Sequence, residues 1–209
     1  METTFILSAS QAIHNAIVAN EAEIESLDRA IGDGDHYANM KRASEMIASM
    51  QGELDGQPVD AVLNKIGMKL LSTLGGASGP LFASFFMAFG KVAKENGHEI
   101  LLQTAAAFAA GVQAIIQRGK AGLGEKTMLD VLIPVSTTFT LMATQDKTAK
   151  VIAQALKQVA DDGLESTRNL IATKGRAAQL GERAIGHLDA GAKSCQVMIH
   201  TVCDLILND

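Results

Sequence analysis

Apolar residues recur at helical spacing along almost the whole chain. Phe5, Ile6, Ala9, Ile13, Ala16, Ile17 and Ile24 mark a first long helix that runs toward Leu27. Met40, Ala43, Met46, Ile47 and Met50 mark a second over residues 38–51. Pro58 suits the first turn of a third, which carries Val62, Leu63, Ile66, Leu70 and Leu71. A fourth, 81–94, holds Phe82, Phe85, Phe86 and Phe89 and is stopped by Asn96-Gly97. A fifth, about 100–118, is almost all Ala, Leu, Ile and Phe along one side. Three more follow at about 128–142, 147–173 and 192–207. No stretch alternates convincingly with the period of a strand. The pattern predicts an all-α chain of eight helices forming one domain over residues 1–209.

The connections fall into two kinds. Those at 52–57, 96–99 and 143–146 are short and bland. Those after the first, third, fifth and seventh helices are rich in glycine and charge. In an up-and-down arrangement alternate connections lie at the same end. The four rich loops therefore meet at one pole of an antiparallel helical barrel or bundle.

The first of them, residues 27–39, reads Leu-Asp-Arg-Ala-Ile-Gly-Asp-Gly-Asp-His-Tyr-Ala-Asn. Gly32 and Gly34 flank Asp33, so a sharp bend can turn Asp28, Asp33 and Asp35 toward one point. Such a loop alone is commonly a solvated turn. Three gathered carboxylates, however, repel one another unless a cation sits among them, and Arg29 alone cannot neutralise them. Hard oxygen ligands select Mg²⁺, Mn²⁺ or Ca²⁺. The spacing is not that of an EF-hand. Phosphate at the N-terminus of the helix that follows, bridged to the carboxylates by Mg²⁺, is an economical reading.

The second loop, 74–81, is Leu-Gly-Gly-Ala-Ser-Gly-Pro-Leu, with Ser78 as a candidate N-cap. The third, 119–127, imitates a P-loop, but Glu125 breaks the spacing and no strand precedes it. Asp130, just beyond, is expected to cap or to pair in a buried position. The fourth, 174–194, carries four glycines and six charged residues, a composition suited to recognition.

Composition narrows the partners. A formal net charge of −5 argues against nucleic acid. No run of Lys and Arg suggests a membrane surface, and no stretch is expected to span a membrane without polar breaks. Cys195 and Cys203 lie too far apart on one helix to bridge, so two buried free thiols are expected. With no signal peptide visible at the N-terminus, the expectation is a soluble cytoplasmic protein.

Taken together, the four loops resemble the L-subunit family of bacterial dihydroxyacetone kinases. The resemblance rests on Leu-Asp-Arg-Ala-Ile-Gly-Asp-Gly-Asp-His, Gly-Gly-Ala-Ser-Gly-Pro-Leu-Phe, Arg-Gly-Lys followed by Gly-Glu-Lys-Thr-Met-x-Asp, and Lys-Gly-Arg-Ala-x-x-Leu-Gly-Glu-Arg-x-Ile-Gly-His-x-Asp-x-Gly-Ala. It implies a barrel of eight helices with ADP and two Mg²⁺ at one end. By position it implies Asp28, Asp33 and Asp35 as metal ligands. It implies His36, Tyr37, Ala38 and Asn39 along the phosphates and nucleotide, and Ala77 and Ser78 at a phosphate turn. Gly119 and Met128 fall around the adenine, and Asp189, Ala190 and Gly191 in a last contact strip. Arg176 falls beside the nucleotide, where it would stabilise charge on the transferred group. The family often has Gly where Tyr37 stands, and Asp-Pro-Gly in place of Asp189-Ala190-Gly191.

The resemblance further implies a subunit that keeps ADP as a cofactor. A phosphohistidine-carrying M subunit of the phosphotransferase system, fed ultimately by phosphoenolpyruvate, would convert it to ATP. The phosphoryl group would then pass to dihydroxyacetone held on a K subunit. None of this requires a phosphorylated residue on the chain itself, so His36 and His187 need not be nucleophiles. His14, His98 and His200 read as packed or surface side chains. The alternatives are an ATP-dependent kinase module for another small ketose or tetrose, a nucleotide-dependent regulator of a transcription factor, and a lipid-holding barrel.

Overall fold

The first long apolar run is bent rather than straight. The structure, a computed structural model that describes residues 2–93 and 100–208, divides it into α1 (Thr3–Ala19) and α2 (Glu21–Ile31). Asn20 makes the bend: its side-chain amide donates to the Ala16 carbonyl at 2.8 Å, competing with the helix ladder. Then come α3 (His36–Ser49), the single turn α4 (Gln51–Leu54), α5 (Val59–Thr73), α6 (Ser78–Ala93) and α7 (Ile100–Gly119). The chain ends with α8 (Leu129–Thr144), α9 (Ala149–Ser166) and α10 (Ala190–Asn208). Counting α1 and α2 as one bent rod, and leaving out the single turn α4, the described residues form the expected eight long helices and no strand.

Helix α5 packs on α6, α6 on α7, α7 on α8, α8 on α9, α9 on α10, α10 on α1, and α1 on α3, with a light contact from α3 back to α5. The ring closes as an antiparallel barrel. The α5–α6 seam is tight because glycine sits at the crossing. A Cβ on Gly67 would meet Met87 Cγ at 2.7 Å and the Ala83 carbonyl oxygen at 3.0 Å. On α9, Ile152, Leu156, Ala160 and Leu164 recur every four residues and are buried.

Inside the ring lies an apolar cavity of about 470 Å³, lined by all eight helices of the ring, with Phe82, Phe85, Phe89 and Phe108 among its walls. Cys195 and Cys203 also face it. Both thiols are free and buried, and burial pushes Cys203 up to about 11 and Cys195 higher still. Helix α7 is, against expectation, long and apolar enough by length and composition to cross a membrane. Here it is a stave of the barrel between α6 and α8, with Ala105, Val112 and Ile115 buried.

Several element ends differ from the sequence reading. The helical turn Gln51–Leu54 takes up the first half of the connection expected at 52–57. Ser78 is the first residue of α6 and not its N-cap. Helix α9 stops at Ser166, seven residues early, because the chain there turns through a 3-10 helix, Thr167–Asn169, to meet the loop after α7. The Asn96-Gly97 stop, the end of the fourth helix at 94 and His98 lie outside the described residues.

Candidate metal and phosphate site

Helix α2 ends at Ile31 with Asp28 in its last turn, and α3 begins at His36 with Asp35 in the N-cap position. Between them the chain bends through Gly34, whose φ of 79° lies in the left-handed region that glycine adopts freely. The bend brings one carboxylate oxygen from each of Asp28, Asp33 and Asp35 within 4.8 Å of one another. Arg29 does not help neutralise them. It turns outward to Glu25 at 2.6 Å. Arg176 does help: its Nε donates to Asp33 Oδ2 at 2.8 Å from the far end of the sequence.

Three hard oxygen donors so close together fit a divalent cation of the Mg²⁺ type. The start of α3 fits an anion beside it. The His36 N–H donates to Asp28 Oδ2 at 3.0 Å and the Asn39 N–H to the Asp35 carbonyl at 3.0 Å. The N–H groups of Tyr37 and Ala38, in the same first turn, make no bond among the described residues. Two unspent donors at a helix N-terminus are a phosphate-binding arrangement.

The side chains of this turn point to other tasks. The Tyr37 ring is buried in the core, and its hydroxyl faces the Glu21 carboxylate without a well-formed hydrogen bond to it. Tyr37 therefore offers a ligand its backbone, not its ring. His36 is clamped, with Nε2 lying 2.8 Å from Ser194 Oγ, which itself donates to the Ala190 carbonyl at 3.1 Å. Burial lowers the His36 pKa, against the pull of Asp28 and Asp35, so the ring is neutral near pH 7.

The other candidates collect around the same pole. Gly119 ends α7, and a Cβ there would lie 3.3 Å from Leu81 Cδ2, which seats the end of α7 on the start of α6 beside Ala77 and Ser78. Met128 precedes α8, and a Cβ on Gly191 would lie 3.8 Å from it. Asp189 caps α10 by accepting the Ala192 N–H at 2.7 Å. Burial raises its pKa to about 6, the Ala192 bond opposing. Asp130 takes the expected capping role, accepting from Gly124 N–H at 2.5 Å and Thr127 N–H at 2.8 Å.

Pattern reading missed three groups. Ser194 orients His36, as just described. Glu125 joins two loops, accepting from the Thr173 hydroxyl at 2.5 Å and from the Gly122 N–H. Those two bonds hold its carboxyl below the usual range. Lys126 is fully buried among carbonyl oxygens. Only Lys126 carried a signal in the sequence: its place in a glycine loop suggested phosphate chemistry, and its burial shows another use.

The DAK2 domain model matches residues 30–204. The chain is 38% identical over 184 residues to the ADP-binding subunit of PEP-dependent dihydroxyacetone kinase of Escherichia coli, covering 88% of each chain. It is 39% identical over 192 residues to the ADP-binding subunit of the PTS-dependent dihydroxyacetone kinase of Lactococcus lactis, covering 91% of each. A D-erythrulose kinase of Mycolicibacterium smegmatis is 32% identical over 205 residues, which are 96% of this chain but 35% of that one. Among solved structures, the dihydroxyacetone kinase of C. freundii in complex with AMP-PNP and Mg²⁺ superposes with a TM-score of 0.74 at 23% identity, covering 98% of this chain and 34% of that one. At that identity the likeness is one of fold.

Proposed function

The chain belongs to the DAK2 domain family, and from that premise we propose that it is the nucleotide-carrying subunit of a phosphoenolpyruvate-dependent dihydroxyacetone kinase. The observation that carries this reading is the meeting of Asp28, Asp33 and Asp35 with Arg176 beside the unspent N–H groups of α3. Asp28, Asp33 and Asp35 would hold two Mg²⁺. The N–H groups of Tyr37 and Ala38, with Asn39 and the turn at Ala77 and Ser78, would hold phosphate. Gly119, Met128 and the strip Asp189, Ala190, Gly191 would border the base. Bound there, the magnesium nucleotide supplies a phosphoryl group whose charge the metals neutralise.

The chain's own residues position and exclude. His36, neutral and clamped, keeps the turn rigid without adding charge. Arg176 is exposed and rests on Asp33 at the rim, within reach of a group transferred there. Transfer between a bound nucleotide and outside partners requires no nucleophilic side chain of the chain itself. Leu123, Ile171 and Ile185 are exposed apolar residues on the loops of this pole. They suit docking of the subunit that holds dihydroxyacetone and of the phosphohistidine carrier.

The test is reconstitution. The purified chain is mixed with a dihydroxyacetone-binding subunit, the phosphohistidine carrier, the general phosphotransferase components and phosphoenolpyruvate. Dihydroxyacetone phosphate should form only when all are present, with catalytic amounts of nucleotide. Turnover of dihydroxyacetone by the chain alone with ATP, at an ordinary kinase rate of about 1–100 per second, would overturn the reading. Preference for erythrulose in the same assay would reassign the substrate.

A further inference from the structure

Among the described residues Lys126 has the largest fully buried side chain, and the site described above does not use it. Its ammonium has three protons to donate. They go to three backbone carbonyls: Thr167 at 2.5 Å, His187 at 2.5 Å and Arg168 at 3.5 Å. No carboxylate of the described residues lies within ion-pair distance of it. Nothing is left over for a phosphate. The residue also holds a φ of 58°, which a non-glycine side chain keeps only where its surroundings over-determine it.

The position of those carbonyls is informative. Thr167 and Arg168 open the segment that follows α9, and His187 closes it just before α10. Other bonds join the same two ends: Gly186 N–H to the Arg168 carbonyl at 2.8 Å, and Asp189 N–H to Thr167 Oγ1 at 3.1 Å. Farther along, Thr173 N–H donates to the Glu125 carbonyl at 3.3 Å. Three residues on stands Arg176, with its bond to Asp33. The segment 167–187 is thus a loop drawn closed at its base, anchored to the chain after α7, and carrying Arg176 toward the carboxylates.

We propose that Lys126 is a positioning residue: its ammonium clamps the base of the 167–187 loop and so sets where Arg176 stands. Burial lowers the Lys126 pKa, with Asp189 opposing, and the protonated form is the one that three carbonyl acceptors select. Without the ammonium the His187 carbonyl loses its partner, the Thr167 and Arg168 carbonyls are left with the Leu170 and Gly186 N–H groups, and the base of the loop relaxes by opening to water. The inference about Arg176 in turnover rests on the function proposed above; the clamp itself does not.

The experiment compares wild type with Lys126→Met, which keeps length and apolar stem, and with Lys126→Gln, which keeps some donor capacity and serves if the first does not fold. Amide hydrogen exchange, without nucleotide or partners, is read over 170–186 and over α5 to α8. Mn²⁺ alone is titrated against the carboxylates. Exchange over 170–186 should rise by about tenfold or more while the barrel helices stay protected. Mn²⁺ affinity should change by less than about threefold, since none of its ligands is touched. In the reconstituted reaction kcat should fall, with Lys126→Gln between the other two. Unchanged exchange over 170–186 would remove the clamp. A uniform rise across the barrel would make Lys126 a core residue and no more. Because the first two readings need no catalysis, a wrong assignment of the reaction would leave the clamp standing, and a wrong clamp would leave the reaction standing.

Discussion

Gly32 lies so close to Asp28 that a Cβ at position 32 would stand 1.9 Å from Asp28 Oδ1 and 2.7 Å from the Asp28 carbonyl oxygen. The backbone there is extended, with φ −115°, which any residue adopts. The glycine is required by space and not by conformation. Gly32→Ala must therefore push the Asp28 carboxylate aside and break its bond from the His36 N–H. Mn²⁺ titration followed by electron paramagnetic resonance should show affinity lower by about tenfold or more, the loss of roughly one well-placed charged contact. Unaltered affinity would exclude Asp28 from the metal set.

The buried Tyr37 hydroxyl faces the Glu21 carboxylate without a well-formed hydrogen bond. Tyr37→Phe removes a polar group that burial penalises. Stability should change by less than about 1 kcal/mol in denaturant unfolding. ADP binding by calorimetry should be unchanged. A loss of nucleotide affinity would mean that the phenol itself meets the ligand.

Arg176 and Asp33 are both substantially exposed, with side-chain exposures of 66% and 41%. A pair in that setting contributes about 0–1 kcal/mol to folding. Arg176→Ala should leave the thermal midpoint nearly unchanged, whereas an arginine that steadies a transferred phosphoryl group is worth about a thousandfold or more in rate. Turnover in the reconstituted system, set beside the melting curve, separates the two. Parallel collapse of both would make Arg176 structural.

The barrel was legible because its helices carry long amphipathic repeats, and the pole because the glycine and charge are confined to alternate loops. The cluster of Asp28, Asp33 and Asp35 was legible for the same reason: it lies within one short stretch, so local bending suffices to assemble it. Lys126, Glu125 and Ser194 act on backbone or side chains tens of residues or more away. No periodicity encodes such contacts. Local propensity carries α9 too far for the same reason: the chain tightens into the 3-10 turn Thr167–Asn169 and becomes extended at Leu170, and the Thr167 carbonyl there accepts from Lys126, a tertiary bond that propensity does not register. Tyr37 shows the converse limit: its place in the motif was plain, but only the fold shows that its ring is turned into the core.

Asp189 ties stability to pH. Its folded pKa is raised to about 6 by burial, above the ordinary aspartate value of about 3.9 in the unfolded chain. Between these values the folded state binds the proton and the unfolded state does not. Stability from this group is therefore greatest below about pH 4 and is lost as pH rises to about 6, a change on the order of 3 kcal/mol. Asp189→Asn, which keeps the cap on α10, should abolish that fall. Urea unfolding of both proteins at pH 4.5, 5.5 and 6.5 (roughly the span between the two pKa values) checks it. The difference in free energy between them should shift steadily in favour of the variant as pH rises. A constant difference would show that the Asp189 carboxyl is solvated.

Asp35 offers the sharpest test of how nucleotide is held. It occupies the N-cap position of α3, yet its side chain makes no capping bond. Replacing it with asparagine therefore costs the helix little and keeps the shape and one oxygen. What is lost is charge. Ionised, the three carboxylates of Asp28, Asp33 and Asp35 together carry about −3. Two Mg²⁺ bring about +4 and ADP about −3, so the assembled site is far closer to neutral than the carboxylates alone. Removing one carboxylate weakens the metals first and, through them, the nucleotide. Wild type and Asp35→Asn are purified without added nucleotide, denatured, and the released ADP quantified. Wild type should carry close to one ADP per chain and the variant much less, with Mn²⁺ affinity falling in parallel. A wild type that emerges empty but binds ATP reversibly would replace the retained cofactor with an exchanging one. Equal retention by both proteins would withdraw Asp35 from the metal set, leaving Asp28, Asp33 and the N–H groups of α3 as the anchor.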